Sequence, residues 1–284
     1  MSTIRPKILV ITGYGINCEE ETAKCFNWVG GEAEIIHIND LIEGKSASTS
    51  SAKKLSNYQI VAFPGGFSYG DDTGSGNALA NKIRNNLKED LLTYLKEDKL
   101  VIGICNGMQI MANLGLIPAT DMKYGERQSA LMRNVHVTLE CRWIHVKNIS
   151  KKCIWTREID MMHLPVSHGE GNFYVEPATL EKMKTNDQIV FKFVNEDGTP
   201  ANNKFPANPN GAMEDITGVC DPSGRIFALM PHPERFNSWT NEDGWELKKE
   251  QMIREQNFTP GKILTFPTEG DGLKILRNGV EYFK

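Results

Sequence analysis

Leu100-Val101-Ile102-Gly103-Ile104-Cys105-Asn106-Gly107-Met108-Gln109-Ile110-Met111-Ala112-Asn113-Leu114 decides the reading of this chain. The five residues before Cys105 are a short apolar run of the kind that makes a buried strand, and the residues from Met108 onward read as a helix. Between them, Gly103-x-Cys105-x-Gly107 matches the nucleophile-elbow pattern with sulfur in place of oxygen. So tight a turn forces backbones together, which requires small residues on both sides. It lifts the side chain clear of the sheet. The helix N-terminus beyond favours negative charge and presents N–H groups to an oxyanion. A cysteine so placed attacks carbonyl carbons. A buried core cysteine beside a chance pair of glycines would show the same residues; the strand-turn-helix context favours the nucleophile.

A thiol nucleophile needs a proton-transfer partner. Arg225 to Met230 reads as another strand, followed by Pro231-His232-Pro233-Glu234-Arg235. Pro233 biases His232 towards an extended backbone, in which positions i and i+2 share a side. His232 and Glu234 are therefore expected to project together, with Glu234 setting the tautomer and the other ring nitrogen facing the thiol. A histidine in a proline turn is often only structural; here the elbow and the His-Pro-Glu run explain each other.

Working outward, Lys7–Ile11, Ala33–Ile38 and Gln59–Phe63 read as further strands, and Cys18–Val29 as a helix. Between Asn77 and Leu95, the residues Leu79, Ile83, Leu87, Leu91 and Leu95 recur every four positions, a helical stripe for core packing. Strands alternating with helices imply a parallel sheet covered on both faces, with its site beyond the carboxyl ends of the strands. Gly65-Gly66, Cys105 and His232 all follow strand ends. The second half adds β signal at Asn134–Leu139, Arg142–Val146, Asn172–Val175, Ile189–Phe193 and Ile216–Val219.

Composition bounds the class. The 284 residues are 40% hydrophobic and 24% charged, which is globular, and the net charge of −4 gives no reason to expect a nucleic-acid surface. No apolar run approaches membrane-spanning length, and Met1 to Lys7 passes straight into a strand without a visible signal peptide. The six cysteines are scattered with no Cys-x-x-Cys pair, so neither a zinc site nor a disulfide framework is expected. A reducing, cytoplasmic setting suits a catalytic thiol.

Four stretches occur in order: Pro64-Gly65-Gly66-Phe67-Ser68-Tyr69-Gly70-Asp71, Gly103 to Ile110, Pro165-Val166-Ser167-His168-Gly169-Glu170-Gly171-Asn172-Phe173, and Met230 to Arg235. With Asn17-Cys18 and Asp271-Gly272-Leu273-Lys274 near the two ends, they closely resemble the glutaminase subunits of phosphoribosylformylglycinamidine synthase, within the class I, triad-type glutamine amidotransferases. The elbow and His-Pro-Glu identify only the superfamily; the Gly-Gly-Phe-Ser-Tyr-Gly-Asp and His-Gly-Glu-Gly stretches are narrower. The resemblance implies a flavodoxin-like α/β fold, with a mainly parallel central sheet flanked by helices and an added antiparallel part. The pattern of elements reads as one domain over 1–284, with surface insertions near 44–56, around a low-complexity run, and at 236–270, where the chain departs from the family pattern.

The resemblance also implies the chemistry: hydrolysis of L-glutamine by Cys105, His232 and Glu234. The oxyanion would be met by backbone N–H groups of Asn106 and of the Gly66-Phe67 turn. Gln109, one helical turn from Cys105, would help shape the glutamine pocket; the glycines around His168 suit close approach to a ligand or neighbour, so His168 is expected in the pocket wall or an interface. A large synthetase subunit holding ATP and magnesium, and a small third subunit, are the implied partners. No cofactor or metal is expected in this chain. Asp71 to Gly76 lacks the P-loop pattern and reads as a turn before the helix at Asn77. Rival readings are an amidotransferase of another pathway and a cysteine hydrolase of similar fold.

Overall fold

The computed structural model describes residues 5–44, 53–256 and 264–284. Residues 1–4, most of the expected insertion near 44–56, and 257–263 of the second insertion lie outside them. Among the described residues, no helix is long and apolar enough to cross a membrane.

Eleven strands are present among the described residues: β1 Lys7–Thr12, β2 Glu32–His37, β3 Ile60–Phe63, β4 Leu100–Ile104, β5 Ser129–Met132, β6 Glu140–Asn148, β7 Met161–His168, β8 Asn172–Val175, β9 Ile189–Val194, β10 Ile216–Cys220 and β11 Ile226–Leu229. Nine of them form one sheet in the order β2-β1-β3-β4-β11-β10-β9-β6-β7. The first five of that order pair in parallel, and every pairing from β11 onward to β7 is antiparallel. The parallel part has the flavodoxin-like strand order, with a switch point between β1 and β3. β3, β4 and β11 are buried at every residue, which is why they read as continuous apolar runs rather than alternating ones. β5 and β8 form a separate antiparallel pair.

The helices are α1 Glu19–Trp28, α2 Ile38–Glu43, α3 Asn77–Lys96, α4 Asn106–Leu114, α5 Pro177–Thr185, α6 Trp245–Glu255 and α7 Leu273–Glu281. In α3 all five residues of the expected stripe are buried, each worth roughly 1.5–3 kcal/mol of transfer free energy. α4 is buried along its whole length, packed against β3, β4, β11 and α3. That enclosure holds the elbow rigid.

Two local expectations change. Asn134–Leu139 is not a strand but a tight loop, and the strand begins at Glu140. The cause is the Asn134 side chain, whose Nδ2 donates to Thr138 O at 2.9 Å and closes the loop on itself. Strands β5 and β7 are also present where none was expected. In the 236–270 segment, Trp239 stacks on Phe266 at 5.8 Å and meets the edge of Trp245 at 5.9 Å. These aromatics therefore anchor the excursion to its own chain, and α6 rides outside with no buried residue.

Candidate active site

Cys105 sits at φ 52°, ψ −107°, between β4 and α4. Positive φ is uncommon outside glycine and marks a conformation the surroundings must impose. The flanking glycines show how. A Cβ on Gly107 would lie 1.9 Å from Phe63 O, and one on Gly103 would lie 2.8 Å from the Gly107 carbonyl carbon. Strand, turn and helix approach too closely for any side chain at either position. The Cys105 thiol is buried and donates to Ser167 O at 3.6 Å.

His232 follows β11, and its N–H donates to Pro165 O of the antiparallel edge strand at 2.8 Å. Its Nδ1 is 2.6 Å from Glu234 Oε1, with both side chains buried. The route differs from the expected extended segment. Pro233–Arg235 is a 3-10 turn, started by the preset φ of Pro233, and the turn brings the carboxylate under the ring. His232 Nε2 and Glu234 Oε2 are buried without hydrogen-bond partners among the described residues. Burial opposes charge on His232, but Glu234 and the thiols of Cys105 and Cys18 outweigh it and hold its pKa well above the ordinary value. An unpartnered ring nitrogen of a base that favours its proton is suited to relay that proton.

Two N–H groups beside Cys105 are left open by the backbone. Asn106 supplies the first orphan donor of α4, and Gly66, at φ +146°, makes no hydrogen bond through its N–H among the described residues. Phe67 does not serve as expected: its N–H donates to Gly15 O at 2.8 Å, because the loop after β1 lies against this turn. A Cβ on Gly66 would meet Gly15 O and the Ile16 Cα at 2.7 Å.

The Asn106 side chain ties this turn to the helix, accepting from Ser68 N–H at 3.2 Å and donating to Asp71 Oδ1 and Gln109 Oε1. Gln109 Nε2 donates to Glu170 O at 2.6 Å, so its amide bridges elbow and 168–171 loop. Gln109 also lines a cavity of about 120 Å³, with Ser75, Asn113, Arg127 and Glu170. Asp71 shapes the expected turn, accepting from Gly76 N–H and Ser75 Oγ. His168 is buried behind the loop, with Asn210 Nδ2 at 3.5 Å from its Nε2. Burial, with the His232 charge, pushes its pKa down to about 4, which keeps it neutral. A larger groove of about 470 Å³, along Lys147, Lys192 and Glu214, contains none of these residues.

The residue sequence reading did not place is Cys18. Its Sγ, a His232 ring nitrogen and a Glu234 oxygen lie within 4.8 Å of one another. That donor set could take a metal ion, but the Arg235 guanidinium already donates to the thiol at 3.1 Å and opposes a second cation. Asn134 was also missed; its short side chain gives no sequence signal of the loop it holds.

A strained cysteine at a parallel-strand end, a buried His–Glu pair and two open N–H donors define a glutamine amidotransferase of flavodoxin-like fold. The family model for the CobB/CobQ-like glutamine amidotransferase domain matches residues 5–283. Phosphoribosylformylglycinamidine synthase subunit PurQ of Methanococcus maripaludis is 51% identical over 285 residues, covering 100% of this chain and 99% of that one. The subunit PurQ of Dehalococcoides mccartyi is 39% identical over 277 residues, covering 97% of each. A chain in the structure of PurLQS from Thermotoga maritima superposes with TM-score 0.65 at 24% identity, over 99% of this chain and 100% of that one, and shows the same fold. The chain belongs to the PurQ family, the glutaminase subunits of phosphoribosylformylglycinamidine synthase in purine biosynthesis.

Proposed function

We propose that Cys105, His232 and Glu234 carry the glutaminase reaction. Cys105 Sγ attacks the side-chain amide carbon of glutamine and passes its proton to His232 Nε2. The N–H groups of Gly66 and Asn106 receive the oxyanion. His232 returns the proton to the departing nitrogen, the carbon–nitrogen bond breaks, and ammonia leaves a γ-glutamyl thioester. His232 then takes a proton from water, which attacks the thioester and releases glutamate and free thiol. Glu234 holds the ring through both halves. Gln109 and Glu170 place the amino-acid end of the substrate, and the opposite charges of Arg127 and Glu170 at one cavity suit a zwitterion. His168 backs that wall as a neutral ring.

The ammonia passes to a large synthetase subunit, which uses ATP and magnesium to convert formylglycinamide ribonucleotide to formylglycinamidine ribonucleotide, with a small third subunit in the assembly. This chain itself works without cofactor or metal, as one amidotransferase domain with two surface insertions, in the cytoplasm. The observation that carries the reading is the strained Cys105 between Gly103 and Gly107. Mass spectrometry after diazo-oxonorleucine treatment tests it, with a single adduct on Cys105 expected. In the assembled complex, Cys105→Ala should abolish glutamine-dependent synthesis and spare ammonia-dependent synthesis. Loss of both activities in an assembled complex would count against this division of labour.

A further inference from the structure

We propose that Asp71 is a positioning residue of the glutaminase site, whose carboxylate fixes which way the Asn106 amide faces and, through that amide, holds the Gly66–Ser68 turn in place beside the elbow; this rests on the glutaminase reading above, which gives Asp71 no part in the reaction. A carboxylate carries no hydrogen to donate, whereas a side-chain amide has a donating end and an accepting end. Asp71 Oδ1 lies 3.2 Å from Asn106 Nδ2, so the amide has to turn its nitrogen to Asp71. The same nitrogen also donates to Gln109 Oε1 at 2.8 Å. Asn106 Oδ1 is thereby left to face Ser68 N–H, from which it accepts at 3.2 Å. Gln109, its oxygen taken, turns Nε2 to Glu170 O at 2.6 Å. One acceptor-only group thus sets the polarity of a chain that joins the Gly66 turn, the elbow helix and the 168–171 loop. Asn106, Ser68 and Gln109 are all buried. A reversed Asn106 amide would set donor against donor at Ser68 and acceptor against acceptor at Asp71, with no solvent to relieve either.

The backbone is bent to deliver that carboxylate. Tyr69, Gly70 and Asp71 hold φ +55°, +70° and +55° in succession. Two of the three are not glycine, and strain of this kind persists where surroundings impose it. The turn is tied at its start, where Tyr69 N–H donates to Tyr14 O and Gly70 N–H to Phe67 O, both at 2.8 Å. At its end Ser75 Oγ and Gly76 N–H donate to the Asp71 oxygens at 3.1 and 3.3 Å. Those two bonds would suffice for a turn that leads into α3; the bond to Asn106 reaches a different element. Burial, with the Glu170 charge, raises the Asp71 pKa above its ordinary value, and the Gly76, Ser75 and Asn106 donors oppose that rise.

The step such a chain controls is the attack on the amide carbon. Gly66 lies two residues before Ser68 and is the oxyanion donor that comes from outside the elbow. An oxyanion exists only once Cys105 has attacked. A misplaced donor therefore slows the chemical step and leaves ground-state binding of glutamine close to its original strength. The Gln109 arm of the chain adds a smaller effect on binding.

The test uses the chain assembled with its synthetase subunit. Asp71→Asn keeps the shape of the side chain and gives it hydrogens to donate, so the Asn106 amide loses its enforced direction. kcat for glutamine hydrolysis should fall roughly 10- to 100-fold, somewhat less than for outright deletion of an oxyanion donor. KM should rise by no more than about threefold. Alkylation of Cys105 by iodoacetamide, which forms a carbon–sulfur bond, expels iodide and passes through no oxyanion, should keep its wild-type rate. Asp72→Asn, at the exposed neighbouring residue, makes the same change of charge and should leave kcat unaltered. Wild-type kcat in Asp71→Asn overturns the proposal. A raised KM with kcat kept also overturns it, by placing Asp71 in the pocket alone. Equal losses of hydrolysis and alkylation with a lowered Tm overturn it as well, by making Asp71 a residue of the fold only. A wild-type chain that neither hydrolyses glutamine nor takes the diazo-oxonorleucine adduct on Cys105 overturns the glutaminase reading itself.

Discussion

The Arg235 guanidinium donates to the Cys18 thiol at 3.1 Å, and that thiol lies within 4.8 Å of the His232–Glu234 pair. Burial pushes the Cys18 thiol up in spite of the His232 and Arg235 charges that favour its thiolate. Cys18 is thus a neutral thiol beside His232 that accepts from Arg235. Cys18→Ala removes the acceptor from Arg235 and opens space at the ring. We expect kcat for glutamine hydrolysis to fall roughly 5- to 20-fold, as for the loss of one hydrogen bond beside His232. KM should change little, and Cys18→Ser should recover most of the rate. Steady-state kinetics decide, and an unchanged kcat in Cys18→Ala would reduce the contact to packing.

His232→Ala should cost about 10²- to 10⁴-fold in kcat, the usual worth of a general base. Glu234→Gln should cost less, because an amide oxygen still accepts from Nδ1–H and keeps the ring aimed. Glutamine turnover by both variants, checked for intact fold by circular dichroism, tests the order. Normal turnover by His232→Ala would move the base elsewhere, with His168 the nearest alternative in this site.

Gly107→Ala should be severely destabilising. Its Cβ would lie 1.9 Å from Phe63 O and 2.7 Å from Phe63 C, backbone atoms of a buried strand that have no flexible end to yield. Overpacking of this kind costs roughly 1–3 kcal/mol or more. Gly169→Ala is the control, since nothing lies within 4 Å of its Cβ position. Thermal unfolding should show a large loss of Tm for the first and almost none for the second; equal Tm values would refute the crowding argument.

His168 sets a pH dependence of stability. Burial, with the His232 charge, holds its folded pKa at about 4, against about 6.5 in the unfolded chain. The unfolded state therefore binds the extra proton between those values. Stability is steady above the unfolded pKa and falls as pH drops towards 4, by roughly 3 kcal/mol in all. His232 has the opposite sign: its raised pKa supports the fold at low pH and loses that support as pH rises. Urea unfolding of wild type and His168→Gln at pH 7 and pH 4.5 separates the two. The variant should lose less stability on acidification, and parallel losses would remove His168 as the cause.

Much of this protein is set by local sequence. The elbow needed only Gly103, Cys105 and Gly107, because close approach of strand and helix admits nothing larger there. The parallel half was legible because strands buried on both faces are unbroken apolar runs, and because the α3 stripe repeats every four residues. The family followed from short stretches at the strand ends. What tertiary structure alone decided depends on contacts between distant segments. Gly15 consumes the Phe67 N–H because the β1 loop folds over the Gly66-Phe67 turn. Arg235 reaches Cys18 across the sequence, and Asn134, held by residues 168–171, bends an alternating run into a loop by donating to Thr138 O. Periodicity and turn chemistry report a residue's immediate neighbours. They carry no record of which donor an unrelated segment will claim once the chain has packed.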